Sequence, residues 1–201
     1  MNRDKTANMN AGADDSDLIR SFNSGNHTAF ERIVLKYQDR IYNLCYRFLG
    51  DMQEAEDAAQ EIFIKVFKGL KRFRAESSFY TWIYRIAVNT CKNRVKSLEY
   101  RKGKKNVELP DETDTVNSRA VFSSDRENGP EEYLEKKERV ERIQNAINEL
   151  HHDWKTIIIL RDIEGLSYEE ISEITGSKLG TVKSKLSRAR QDLRERLKGI
   201  F

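Results

Sequence analysis

Gly165-Leu166-Ser167-Tyr168-Glu169-Glu170-Ile171-Ser172-Glu173-Ile174-Thr175-Gly176, continued by Ser177-Lys178-Leu179-Gly180-Thr181-Val182-Lys183-Ser184-Lys185-Leu186, is the stretch that decides how the C-terminal part of this 201-residue chain folds. Ser167 and Glu170 have the spacing of a capping box, in which a hydroxyl and a carboxylate exchange hydrogen bonds with the first backbone N–H groups of a helix. Gly176 stands where that short helix must end, because glycine takes the left-handed turn at little cost. Thr181 then opens a longer helix. A short helix, a glycine turn and a second helix at this spacing read as a helix-turn-helix. Advancing about 100° per residue from Thr181 puts Val182, Leu186, Ala189, Leu193 and Leu197 on one inward stripe. Lys183, Ser184, Ser187, Arg188 and Gln191 share the other side. Short polar and basic side chains there can reach base edges in a major groove, while Lys178, Lys185 and Arg190 meet phosphates. The plainer alternative is an amphipathic helix with a solvated face.

Working outward, a charged helix starts near Glu131 with Tyr133, Val140, Ile143, Ile147 and Leu150 on one face, so the unit spans residues 131–201. From Tyr100 to Pro130 the periodicity vanishes, both prolines of the chain occur, and basic residues (Arg101, Lys102, Lys104, Lys105) give way to acidic ones (Glu108, Asp111, Glu112, Asp114). Residues 100–130 therefore read as a flexible linker. Before it, the pattern predicts four helices. The first, Asp17 to Ser24, is ended by Gly25. The second starts near Thr28, carries Phe30, Ile33, Val34, Tyr37, Ile41, Leu44, Cys45 and Phe48, and is ended by Gly50. Asp51 and Glu54 form a second capping-box pattern and open the third, rich in small residues that allow close packing. After a polar turn from Arg74 to Ser78, the fourth runs from about Phe79 to Leu98. Residues 17–99 form the first domain, and residues 1–16 a disordered tail. With only 2 Pro and 10 Gly in the chain, the fold class is all-α: two small helical domains joined by a flexible linker.

The formal net charge is only +3, but charge is segregated along the chain. Lys65 to Lys105 holds thirteen Lys or Arg against Glu76 and Glu99, and Gly176 to Phe201 holds eight against Asp192 and Glu195. Two basic zones suit two contacts with a polyanion, because each neutralised phosphate releases counterions. Residues 1–16 have no apolar core of a signal peptide, and the longest apolar run, Ile157 to Leu160, is far too short to span a membrane. A cytoplasmic protein is expected. Cys45 and Cys91 lack the spacing of a metal site or redox pair and read as reduced core residues. His151 and His152 point about 100° apart on a helix, a poor ligand pair. No metal or other cofactor is expected.

Asp57-Ala58-Ala59-Gln60-Glu61-Ile62-Phe63 and Phe73-Arg74-Ala75-Glu76-Ser77-Ser78-Phe79-Tyr80-Thr81-Trp82-Ile83-Tyr84-Arg85-Ile86-Ala87-Val88-Asn89 closely resemble the second conserved region of extracytoplasmic-function sigma factors, and Gly165 to Arg190 resembles their fourth. The resemblance covers most of 17–98 and 131–197, in the family's order and spacing. Lys178-Leu179 stands where the family often has a small residue or proline. The resemblance implies a non-catalytic subunit that lends promoter recognition to core RNA polymerase, with a possible anti-sigma partner. It implies that Asp57, Gln60, Glu61 and Phe67 meet the clamp-helix coiled coil of the polymerase's largest subunit. It assigns Arg74, Ser77, Ser78, Phe79, Tyr80, Trp82, Arg85, Asn89 and Asn93 to the single-stranded −10 element, and Arg161, Tyr168, Lys178, Thr181, Lys183, Ser184, Ser187 and Arg188 to the double-stranded −35 element. Arg161 is placed against the DNA backbone.

The residues have their own logic beside this. The third helix begins with Asp51, Glu54, Glu56, Asp57 and Glu61 and no basic residue, an acidic patch suited to a basic protein partner rather than to phosphate. Helix-dipole stabilisation is the alternative, and it explains Glu54 better than Glu61. On the fourth helix Arg85, Asn89, Lys92, Asn93 and Lys96 fall within about 120° of one another, with Trp82 on the same polar side. An aromatic ring among basic and amide groups suits stacking on an unpaired base, although Trp82, Phe79 and Tyr80 are equally readable as core residues. The turn at 74–78 offers groups for an extruded base. Two other functions fit parts of the pattern: a stand-alone helix-turn-helix regulator, and a metal-dependent nuclease using Asp51, Glu54, Asp57 and Glu61.

Overall fold

The computed structural model describes residues 14–105 and 130–198, and among these every regular element is helical. The rest of the expected tail and linker, with the Tyr133 side chain, lies outside the described residues. Helix α1 (14–23) ends at Gly25, whose φ of 102° lets its N–H turn back to the Phe22 carbonyl at 3.0 Å. Helix α2 (Thr28–Leu49) ends at the left-handed Gly50, and α3 (Met52–Leu70) starts at Asp51, whose carboxylate accepts from the Glu54 N–H at 2.7 Å. Only this half of the expected capping box forms, because the Glu54 carboxylate is drawn 2.6 Å from the Arg94 guanidinium instead. An ion pair with a charge-assisted hydrogen bond outweighs a bond to one neutral N–H. Helix α4 (Phe79–Lys105) is capped by Ser78 and continues seven residues beyond the expected Leu98.

These helices bury Ile33, Ile41, Leu44, Ile62, Val66, Leu70, Ile83 and Ala87 completely. Each large aliphatic among them contributes about 1.5–3 kcal/mol by leaving water. Ala55 and Ala58, also fully buried, let α3 approach its neighbours closely. Cys45 on α2 and Cys91 on α4 are both buried with their sulfurs 3.7 Å apart, a neighbourhood that 46 residues of separation conceals.

The C-terminal half comprises α5 (Pro130–Asn148), α6 (His152–Ile158) running into a π-helical turn (Ile159–Ile163), α7 (Tyr168–Thr175) and α8 (Leu179–Arg196). Ile147, Ile157–Leu160, Leu166, Ile171, Ile174, Val182, Leu186 and Ala189 form its interior. Both halves of the Ser167–Glu170 capping box are made, at 2.8 and 3.1 Å, and Gly176 has φ 67°. Helix α8 begins at Leu179, two residues before the expected Thr181, with Lys178 as its N-cap residue.

The two helical units lie against each other, α7 on α4, and their cores are continuous. The fully buried Tyr84 of α4 donates to Glu164 at 2.7 Å; burial first, then that carboxylate, pushes its phenol well above the usual tyrosine range.

Candidate nucleic-acid and protein interfaces

On α8 the inward stripe is as expected, with Val182, Leu186 and Ala189 buried and Leu193 and Leu197 partly so. Lys183, Ser184, Ser187, Arg188 and Gln191 are all exposed on the other side, and Lys178 is exposed at the helix start. Thr181 is half-buried, and its carbonyl accepts from Ser184 Oγ at 3.0 Å. The Arg161 guanidinium is engaged within the protein, where it donates to the Leu166 carbonyl at 2.6 Å and lies 4.8 Å from the centre of the Tyr168 ring. The π turn makes this possible, because its wider coil brings the Glu164 N–H to the Ile159 carbonyl and swings the chain back toward Arg161. The Lys183 ammonium lies 5.6 Å from the same ring. Two cations read from sequence as phosphate contacts are neutralised internally. Lys185 binds Asp153 at 2.5 Å, and Arg190 makes two hydrogen bonds to Asp162.

On α4, Arg85, Asn89 and Asn93 are exposed along one side, as periodicity predicts. Trp82 is half-buried, with its ring against Phe73 and Phe79 at 5.2 and 5.7 Å. Gly69 gives it room: a Cβ there would stand 3.1 Å from the indole. Phe79 is a core residue, 5% exposed and edge-on to Tyr37, so the core reading of this ring is the one the packing supports. Tyr80 is half-buried, 4.3 Å from the Tyr84 ring. Arg74 is exposed and near Glu76, and the Ser78 hydroxyl is occupied as the cap of α4.

The turn from Ala75 to Ser78 forms one wall of a recess of about 430 Å³, whose other walls include Asp15, Ser16 and Ile19 of α1, Tyr37 of α2, and Tyr80. The α1 and α2 residues carried no sequence signal for this place, since only the fold brings positions 15 and 77 together. Asp15 is 4% exposed and accepts from Tyr37 Oη and Lys36 Nζ, both at 2.6 Å. Burial and this carboxylate push the Tyr37 phenol far up, so it remains a donor. Ala75 has φ 55°, uncommon for a residue with a side chain, and this bends the turn around the recess.

On α3, Gln60 and Glu61 part company. Gln60 lines a mostly apolar groove of about 510 Å³ between α2 and α3, with Val34, Tyr42, Ala59, Phe63 and Ile64. Glu61 faces α4, where Arg94 gathers Glu54, Asp57 and Glu61 at 2.6, 3.2 and 3.6 Å, and Lys65 also binds Glu61. The acidic patch is thus largely satisfied within the protein, by a guanidinium where a nuclease would need metal. Ile64 of that groove is exposed, as is Leu35 of α2, while Phe67 packs against Phe22 and Phe30 with one edge in solvent.

The Sigma-70 region 2 family model matches residues 33–101, and the Sigma-70 region 4 model matches residues 140–193. RNA polymerase sigma-H factor of Pseudomonas aeruginosa is 38% identical over 93% of this chain and 95% of its own length, and ECF RNA polymerase sigma factor SigW of Bacillus subtilis is 37% identical over 90% and 96%. The chain is an extracytoplasmic-function sigma factor. Membership decides against the stand-alone regulator and makes this sigma factor a transcription initiation factor. Its fold agrees with that of CnrH in complex with the cytosolic domain of CnrY, at a TM-score of 0.65 and 21% identity over 92% of this chain and 97% of that one. RpoE of Bartonella quintana, in complex with the anti-sigma factor NepR, gives 0.64 and 24% over 85% and 97%. No helix among the described residues is long and apolar enough to cross a membrane, and no cluster of three or more His, Cys, Asp or Glu is placed to hold a metal ion.

Proposed function

We propose that this sigma factor docks on core RNA polymerase through the α2–α3 groove, reads the −35 element with the exposed side of α8, and captures a −10 base in the recess beside the 75–78 turn. The observation that carries this reading is the recess itself, which gathers the Tyr80 ring, the Ser16 and Ser77 hydroxyls and the buried Asp15–Tyr37 pair around one cavity. Unstacking a base costs a few kcal/mol, and the cost is offset where the base finds stacking and hydrogen-bond partners outside the duplex. Tyr80 supplies a ring at the recess wall and Ser16 and Ser77 supply hydroxyls, while exposed Arg85, Asn89 and Asn93 offer cationic and amide groups along α4. The groove at Gln60 and Ile64 suits an amphipathic helical partner, which lays its apolar side into such a cleft. Gln60 and Phe67 contribute to that surface, whereas Asp57 and Glu61 act mainly by holding Arg94. The Bartonella relative bound to an anti-sigma factor makes such a regulator a further expected partner, acting in the cytoplasm on a stress or envelope signal.

Transcription in vitro with core enzyme on genomic fragments, followed by mapping of start sites, tests the reading as a whole. Start sites sharing −35 and −10 motifs are expected, and unselective initiation overturns it. For the recess, Trp82→Ala loosens the Phe73–Phe79 wall and is expected to impair opening more than closed-complex binding. Permanganate reactivity equal to wild type on a duplex promoter contradicts this, while rescue by a pre-melted template supports it.

A further inference from the structure

Cys45 of α2 and Cys91 of α4 are the chain's two cysteines, both fully buried, and the Cys91 thiol donates to Cys45 Sγ at 3.7 Å. That hydrogen bond and burial hold the Cys91 thiol well above its usual range, so the resting pair is protonated and uncharged, while the charges of Arg94 and Lys155 pull the other way. Lys155 is itself unusual for an interior. It is 8% exposed and donates to the Phe48 carbonyl at 2.7 Å and to Asn148 Oδ1 at 2.8 Å, two neutral oxygens that leave its charge unbalanced. A lysine is almost never this buried without an anionic partner. Phe48 follows Cys45 by three residues on α2, Val95 follows Cys91 by four on α4, and with Lys92, Lys96 and Lys155 they line a cavity of about 110 Å³. The cavity therefore lies one helical turn from the sulfurs and gives a small ion a path to them.

We propose that Cys45 and Cys91 form a binding site for one monovalent thiophilic cation, copper(I) or its surrogate silver(I), held linearly between the two sulfurs. Thiolate sulfur is soft and selects such ions. Binding exchanges protons for metal: one monovalent ion and two S–H groups give a bis-thiolate anion and two released protons, with no electron transferred. Two bonds of about 2.2 Å each place the sulfurs about 4.4 Å apart, roughly 0.7 Å beyond their present separation and within reach of small χ1 rotations. Zinc requires about four ligands, and no group of three or more His, Cys, Asp or Glu is gathered to hold one among the described residues. The bis-thiolate carries one negative charge into the interior, where Lys155 holds one unbalanced positive charge. Each supplies what burial denies the other. The site stands apart from the promoter-binding reading and does not depend on it.

The test uses the full chain, reduced and kept from oxygen. Silver(I), and copper(I) presented as its complex with a chromophoric chelator, are titrated in and followed by native mass spectrometry, by the chelator's absorbance and by the thermal midpoint. One ion per chain with loss of two protons is expected, and the midpoint should rise, because only the folded chain brings the sulfurs together. Cys45→Ser and Cys91→Ser, each checked for helicity by circular dichroism, should weaken binding by at least about 100-fold. Lys155→Met keeps both sulfurs and should weaken it about 10-fold, whereas Lys96→Met, an exposed position on the same cavity, should not. If a serine variant loses its helicity, X-ray absorption of the loaded wild type decides: two sulfur neighbours are expected, and a third neighbour overturns the linear site. Unchanged affinity in the folded serine variants overturns the proposal, as does equal affinity for zinc(II). Loss of two mass units with no ion retained, the mark of a disulfide, overturns it too. Equal affinity of Lys155→Met and wild type overturns the pairing with that ammonium.

Discussion

Arg188 projects from the exposed side of α8, two turns into the helix, whereas Lys178 stands at its N-cap. A guanidinium paired with guanine discriminates by about 1–3 kcal/mol, while a phosphate contact serves every sequence alike. Arg188→Ala is therefore expected to relax preference at one position of the −35 element, and Lys178→Ala to lower affinity uniformly and flatten the salt dependence. Binding of both variants to randomised −35 duplexes at two salt concentrations checks this; equal loss for every sequence by Arg188→Ala contradicts it. Ala75 shapes the turn that walls the recess. Its φ of 55° is strained for an L side chain, so Ala75→Gly should stabilise the fold by about 0.5–1 kcal/mol in urea unfolding. The same substitution should weaken capture of single-stranded −10 DNA, because a looser turn holds the recess less firmly.

At the scale of elements, α7 and α8 owe their relative placement to one hydroxyl, one glycine and one guanidinium. Ser167→Ala removes the acceptor for the Glu170 N–H and should cost about 1 kcal/mol, with loss of −35 affinity only insofar as α7 frays. Hydrogen exchange at the amides of residues 168–171 should quicken while those of α2 do not. Capping, glycine stops and the α8 stripe were legible in the sequence because each depends on neighbours within one or two turns. The π turn at Ile159–Ile163 was not, since no local residue announces a one-residue widening. Arg161, expected on DNA, holds the Leu166 carbonyl because that turn delivers it there.

For the whole molecule, the Lys155 ammonium is the most telling group. Burial between the two halves lowers its pKa from 10.5 to about 8, so the charged form is disfavoured in the folded state. The penalty is fully present below pH 8 and is relieved as pH rises from 8 through 10.5, because there the unfolded chain still holds the proton that the folded one has released. At full size it corresponds to about 3 kcal/mol, to order of magnitude. Wild type should therefore gain stability relative to Lys155→Met on going from pH 7.5 to pH 10, as measured by paired urea titrations. A flat difference would mean that the ammonium keeps its hydration and the halves are apart in solution.

By itself, the sequence determined an all-helical chain, the helix-turn-helix, the polar side of α4 and, through motif resemblance, the family. All of these rest on spacing within single helices and their caps. Only the tertiary structure decided which charges are available. It paired Glu54, Asp57 and Glu61 with Arg94, Lys185 with Asp153 and Arg190 with Asp162, put Phe79 in the core, and brought Asp15 and Tyr37 to the recess. Charge pairing acts over a few ångströms of space, and partners 28 to 40 residues apart leave no period in a sequence for the eye to find.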